Sequence, residues 1–340
     1  MKNKLKHWFS NTQTYILLIV IVYVVIVSLV NPSFFTAESL FDLLQTSAGV
    51  VIVSLGVMLV LISGGIDVSF TVIAVFGAYS AARFMQVTGI DNLWVAFMIA
   101  IVIGAVLGMI NALLIHLFRL PVFVVTLGTQ SMFTGLMATI VGTVSINPSQ
   151  CPRSLVDFGA MKIFTVERAD GMQYGLSVFI IPMILLILLT WFILHRTMIG
   201  RGIVALGNSE TSAIRAGFNL LKIRLFLFMY VGVLSAIMGI MAIAKVNSIT
   251  PISNYMMGGM ELTVIAAVVI GGTKLSGGRG TIFGTIVGIA LIQLFSNTLI
   301  FLGLTTSWSN LFTGLVLVAC LVGTSLQNRY RRRRLLLFDE

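Results

Sequence analysis

Charge is what this chain has least of. Only 9% of its 340 residues are Asp, Glu, Lys or Arg, against 58% hydrophobic residues, and the mean hydropathy is +1.06. A soluble domain of this length needs far more polar side chains to cover its surface, so the composition argues for lipid as the solvent. Cysteine is nearly absent too. Cys151 is expected in an outer loop and Cys320 inside the last span, and that difference in depth argues against a disulfide between them. No His/Cys/Asp/Glu cluster has metal-ligand spacing and no Ser/His/Asp set has a catalytic context, which weighs against a membrane enzyme. The chain also lacks a Gly-x-x-x-x-Gly-Lys-Ser/Thr phosphate loop. It is therefore expected to bind no cofactor of its own, and ATP-driven work would draw on an ATPase carried by another subunit.

What is present is apolar sequence in lengths that cross a bilayer. A spanning helix needs about 20 mainly apolar residues to traverse about 30 Å of hydrocarbon. Such runs fall at 15–30, 46–63, 70–87, 93–115, 121–142, 176–195, 225–244, 261–273, 281–303 and 309–325. The expected fold is an all-α polytopic membrane protein of about ten transmembrane helices, with residues 1–340 forming a single transmembrane domain. The run 261–273 is short enough to be a broken or re-entrant helix. The N-terminus has a basic start and an apolar run like a signal peptide. No small-residue cleavage pattern follows, so an uncleaved first span is expected.

The net charge of +10 does not point to nucleic acid, because it lies at span ends. Lys2, Lys4 and Lys6 precede the first run, and Arg329 and Arg331 to Arg334 follow the last. Basic residues in those places fix topology and meet anionic lipid on the cytoplasmic side. Both termini are then cytoplasmic. Inner loops hold Arg119; Arg196, Arg201, Arg215, Lys222 and Arg224; and Lys274 with Arg279. The outer Arg153, Lys162 and Arg168 sit among Asp157, Glu167 and Asp170.

Two loops exceed simple turns. The outer segment 143–175 is polar, and the inner segment 196–224 is basic. The inner one contains an expected short amphipathic helix, Ser209 to Ala216, between Gly207 and Gly217. Asn208 or Ser209 would cap it, placing Glu210 at its positive end. Gly64-Gly65-Ile66-Asp67-Val68-Ser69 and Gly271-Gly272-Thr273-Lys274-Leu275-Ser276-Gly277-Gly278 share a Gly-Gly-x-x-x-Ser pattern, too short to establish an internal repeat. Ionisable residues are nearly absent within spans. Asp67 and Glu261 are expected at span ends, and His116 and His195 at inner boundaries, which weighs against an ion-coupled carrier. The uncharged pairs Thr126 and Gln130, and Gln293 and Asn297, each share a helix face. Each face either lines a path for a neutral hydroxylated solute or glues helices together, the commoner role of such residues.

Four blocks in order resemble the ribose-type permeases of ATP-binding cassette sugar importers. They are Leu61 to Ser69; Leu120-Pro121-Val122-Phe123-Val124-Val125-Thr126-Leu127-Gly128; Ala205-Leu206-Gly207-Asn208-Ser209-Glu210 continuing to Ala213 and Gly217; and Val269 to Thr281. Within the last, Leu275-Ser276-Gly277-Gly278-Arg279 also looks like an ATPase signature, but it is a few residues between two spans. The resemblance implies a bacterial inner-membrane permease subunit for a monosaccharide, paired with a second permease as a homo- or heterodimer. It further implies a partner ATPase that binds the ATP and an extracytoplasmic sugar-binding protein. Segment 196–224 would couple to the ATPase through Gly207, Glu210, Ala213, Arg215 and Gly217. Thr71, Ala112 and Thr263 depart from the family pattern, which leaves the solute open, with a nucleoside or furanosyl signalling molecule as the alternative. Tyr255 to Thr273 and Ser307-Trp308 look similar to a sister-permease branch associated with galactofuranose.

Overall fold

A computed structural model describes residues 12–31, 34, 36–167, 173–251, 259–301, 303, 305, 307–315, 318 and 322. Lys2, Lys4, Lys6, Arg168, Asp170, Tyr255, Cys320, Arg329 and Arg331 to Arg334 lie outside the described residues. The elements are α1 (Thr12–Val30), α2 (Ala37–Ile62), α3 (Phe70–Thr88), α4 (Leu93–Phe118), α5 (Val122–Ile140), α6 (Arg153–Ala160), β1 (Lys162–Glu167), β2 (Gln173–Ser177), α7 (Ile180–Arg196), α8 (Met198–Asn208), α9 (Glu210–Arg215), α10 (Leu220–Val246), α11 (Met260–Ile270) and α12 (Ile282–Phe301). Residues 307–315 are also helical.

The chain is a mainly helical, multi-pass membrane protein. Six helices among the described residues are long and apolar enough to cross a membrane, and α7 with α8 supply a seventh if their bent pair is one span. The expected spans return as helices, most with ends within a few residues. The second begins earlier than hydropathy implies, at Ala37. There the Thr36 hydroxyl accepts from Ser39 N and Glu38 lies in the first turn, so capping chemistry lengthens the helix beyond its apolar run. Asn92 and Asn219 cap α4 and α10 in the same way.

The mostly buried α10 is the axis of the bundle. It crosses α4 at Gly104 and Gly232, where a Cβ on either would strike the other's carbonyl oxygen, and it passes α3 where Gly239 meets the Ala74 carbonyl. Lipid offers helices no hydrophobic reason to associate, so this backbone-to-backbone approach and its dispersion contacts carry the packing.

Contacts sort the loops into two ends. At one end Ile146 and Ile249 form a two-way backbone bridge. There Gln86 Nε2 donates to Gln150 O, Ser154 N donates to Asp91, and Gln45 Nε2 donates to Gly159 O. At the other end 62–65, 207–208, 277–280 and Val122 meet. The polar segment 143–175 is folded rather than an open loop: it holds α6 and an antiparallel β1–β2 hairpin, with Phe164 packed edge-on to Phe41 at 5.5 Å.

Candidate functional site

The two glycine motifs and the inner segment converge on one junction. At the end of α2, Ser63 is αR and Gly64 has φ +86°. Gly64 N then donates to Leu61 O at 3.0 Å and Gly65 N to Val60 O at 3.1 Å. The end of α11 repeats this turn with Gly271 αR and Gly272 at φ +94°. Gly272 N donates to Val269 O at 2.9 Å and Thr273 N to Val268 O at 3.2 Å. Both are left-handed helix stops that pair the last carbonyls of the helix. Gly64 therefore corresponds to Gly272. The shared Gly-Gly-x-x-x-Ser pattern pairs Gly64 with Gly271, one residue out of the register that the backbone adopts.

Gly207, in the last turn of α8, packs between the end of α2 and the glycine loop 277–278 that follows α11. Gly278 N donates to Ile62 O at 2.8 Å. A Cβ on Gly207 would fall 1.8 Å from that same oxygen, and one on Gly277 would fall 2.9 Å from Gly64 Cα. Gly278 is at φ +78°, with Asn208 against it. Lys274 N donates to Arg279 O, closing a tight basic loop beside the junction.

Segment 196–224 contains more helix than the sequence reading assigns to it. After a 71° bend from α7, α8 is started by Thr197, whose hydroxyl accepts from Gly200 N at 3.1 Å. The missed signal was Thr197 followed by Met198, Ile199, Ile203, Val204 and Leu206 at helical spacing. Of the two candidate caps for α9, Ser209 serves, accepting from Ser212 N at 3.2 Å. Glu210 lies in the first turn as expected and pairs with Arg224 at 3.0 Å. Arg224 also approaches His116 Nδ1 at 3.4 Å, tying α9 to the end of α4. Ala213 is buried beneath α9, Ile214 and Arg215 are exposed, and Gly217 turns the chain at φ +82°.

Beside the junction, the loop 63–69 is held by buried polar groups. Asp67 Oδ1 accepts from Ser69 N and Ser69 Oγ at 2.8 and 2.7 Å. Ser69 Oγ accepts in turn from Asn111 Nδ2 at 2.8 Å. Thr126 Oγ1 accepts from Val68 N and donates to Ile66 O, each at 3.3 Å. Among the described residues, Asp67 Oδ2 and Asn111 Oδ1 have no hydrogen-bond partner. Thr126 thus joins α5 to this loop.

Gln130, one turn further along, has a different partner. Its Nε2 donates to Glu261 Oε1 at 3.1 Å, and Thr71 Oγ1 donates to the same oxygen at 2.5 Å. Glu261 lies at the end of its helix, as expected, and its contact with Gln130, near the middle of α5, puts that end inside the bundle. α11 has 11 residues, about 16 Å of helix, which is too short to cross the hydrocarbon core alone. Gln293 and Asn297 stay within α12, where Asn297 Nδ2 donates to Gln293 O. They are not brought together with Thr126 or Gln130. His195 stacks on Trp191 at 5.7 Å. No group of three metal-ligating side chains occurs among the described residues.

The glycine-rich junction closes one end of an apolar multi-helix bundle. Residues 39–321 match the family model described as branched-chain amino acid transport system / permease component, and the chain belongs to that family. It is 31% identical over 325 residues to the ribose import permease protein of Escherichia coli K12, covering 95% of this chain and 96% of that one. It is 34% identical over 301 residues to the ribose import permease protein of Bacillus subtilis 168, covering 87% and 88%. It is 28% identical over 318 residues to the autoinducer 2 import system permease protein of Yersinia pseudotuberculosis, covering 94% and 86%. No solved structure matches.

Proposed function

We propose that the chain is the membrane-spanning subunit of an ATP-driven importer for a monosaccharide. It crosses the bacterial inner membrane about ten times, with both termini in the cytoplasm. A second permease completes the path, an extracytoplasmic binding protein delivers the solute, and a separate ATPase subunit binds and hydrolyses ATP. The chain itself is a transport subunit and not an enzyme. The observation that carries the reading is the junction of Gly64, Gly207, Gly277 and Gly278. A push on the exposed face of α9 would pass through α8 to the end of α2 and to the glycine loop that follows α11, without a soft side chain between. Such a lever works only if the ATPase docks differently in its two states.

The sugar reading is favoured over the amino acid in the family's description by the relatives' names and by the polar groups inside the bundle. Among the described residues, Glu261 has no cationic side chain beside it to receive a carboxylate. A nucleoside or a furanosyl signalling molecule is the second reading, favoured by the autoinducer 2 relative. The docking assignment is tested by Glu210→Ala and Arg215→Ala in the assembled transporter. Both should leave insertion intact and separate ATP hydrolysis from uptake. Normal uptake by both variants would remove it.

A further inference from the structure

The polar side chains half-way through the bundle have no role in the junction, and they converge from three separate helices. Thr71 is the second residue of α3, Gln130 is near the middle of α5, and Glu261 is in the first turn of α11. Thr71 is buried, while Gln130 and Glu261 are partly accessible. Glu261 Oε1 receives both donors. Its Oε2, and the side-chain oxygen of Gln130, accept no hydrogen bond among the described residues. No Lys or Arg among those residues pairs with the carboxylate.

A carboxylate at this depth is costly unless its charge is met. Two donors on one oxygen and the positive end of α11 meet it without a cation. The other oxygen is left with capacity for hydroxyl donors. With its charge already met, the carboxylate gains little from a cation, whereas neutral hydroxyls exchange with water at little net cost. Two open acceptors on neighbouring side chains suit two hydroxyls on adjacent carbons.

We infer that Glu261, Gln130 and Thr71 form a hydrogen-bonding station half-way across the membrane that contacts a neutral polyhydroxylated solute in passage. The inference rests on the permease reading, and it names the groups that recognise the solute inside the membrane. Thr71 fixes the carboxylate, and the two accepting oxygens read the hydroxyls.

The test uses the chain assembled with the ATPase and second permease proposed above in lipid nanodiscs, without the binding protein, whose own affinity would mask the site. Ribose and galactose serve as neutral probes and choline as a cationic one, read by saturation-transfer difference NMR. Ribose or galactose should give signal in the wild type. Glu261→Gln should weaken it about tenfold, as expected for loss of a hydrogen bond to a charged group. Gln130→Leu should weaken it less, and choline should give none. Each variant is first shown by gel filtration to assemble like the wild type. Unchanged sugar signal in both variants, or choline signal in place of sugar, overturns the station. Uptake by the complete transporter is read separately: sugar binding without uptake would strike the transport reading and leave the station standing.

Discussion

Gly207→Ala puts the junction to a quantitative test, because two effects of opposite sign compete there. Within an unobstructed helix the change would stabilise by about 1 kcal/mol, through helix propensity. At Gly207, however, the new Cβ lies 1.8 Å from Ile62 O and 2.7 Å from Gly278 N. An ordinary contact needs about 3.4 Å, so α8 must move by more than 1 Å away from both glycine turns. Overpacking of this kind costs about 1–3 kcal/mol, and it also threatens the 2.8 Å bond from Gly278 N to Ile62 O, worth about 1 kcal/mol. The expected net loss is about 2 kcal/mol, seen as a fall of a few degrees in the midpoint of thermal unfolding of the purified protein. Gly128 supplies the control, since it is helical and a Cβ there meets nothing within 4 Å. Gly128→Ala should be neutral or slightly stabilising. A Gly207→Ala protein as stable as the wild type, or more so, would refute the closed junction.

Other outcomes follow from particular contacts. Asp67→Ala removes the acceptor of both Ser69 bonds and should cost about 1–3 kcal/mol. Asp67→Asn retains that acceptor and should cost less, so equal unfolding midpoints for the two variants would contradict the geometry. Thr197→Val loses the cap of α8 and should cost about 1 kcal/mol in the same assay. Burial, with a smaller contribution from Asp91, pushes the Cys151 thiol up to about 11. Its thiolate is therefore scarce at neutral pH and grows as pH rises toward that value. In a Cys320→Ser background, iodoacetamide labelling should still be accelerating above pH 9. A plateau below pH 9 would contradict the buried setting.

The spans were legible because a period-free apolar run of about 20 residues leaves few alternatives in lipid. Distance across the bundle was not. Thr126 and Gln130 share a face of α5 by spacing alone, yet one binds the 63–69 loop and the other binds Glu261. Only tertiary placement separates interhelical glue from an accessible polar group. The depth of Glu261 was partly written in the shortness of the run 261–273, which implied a helix too short to span. The one-residue offset between the glycine motifs could not be read from composition. Ser63 and Gly271 both take the αR position before the left-handed glycine, and an αR position makes no demand for glycine.

ATP-dependent uptake tests the central claim most directly. The chain is reconstituted in proteoliposomes with the ATPase, second permease and binding protein proposed above, and radiolabelled ribose or galactose entry is followed with and without ATP. Sugar should accumulate only with ATP, and substitution of the phosphate-loop lysine of the ATPase should abolish it. Accumulation by this chain alone, driven by an ion gradient without ATPase or nucleotide, would contradict the account.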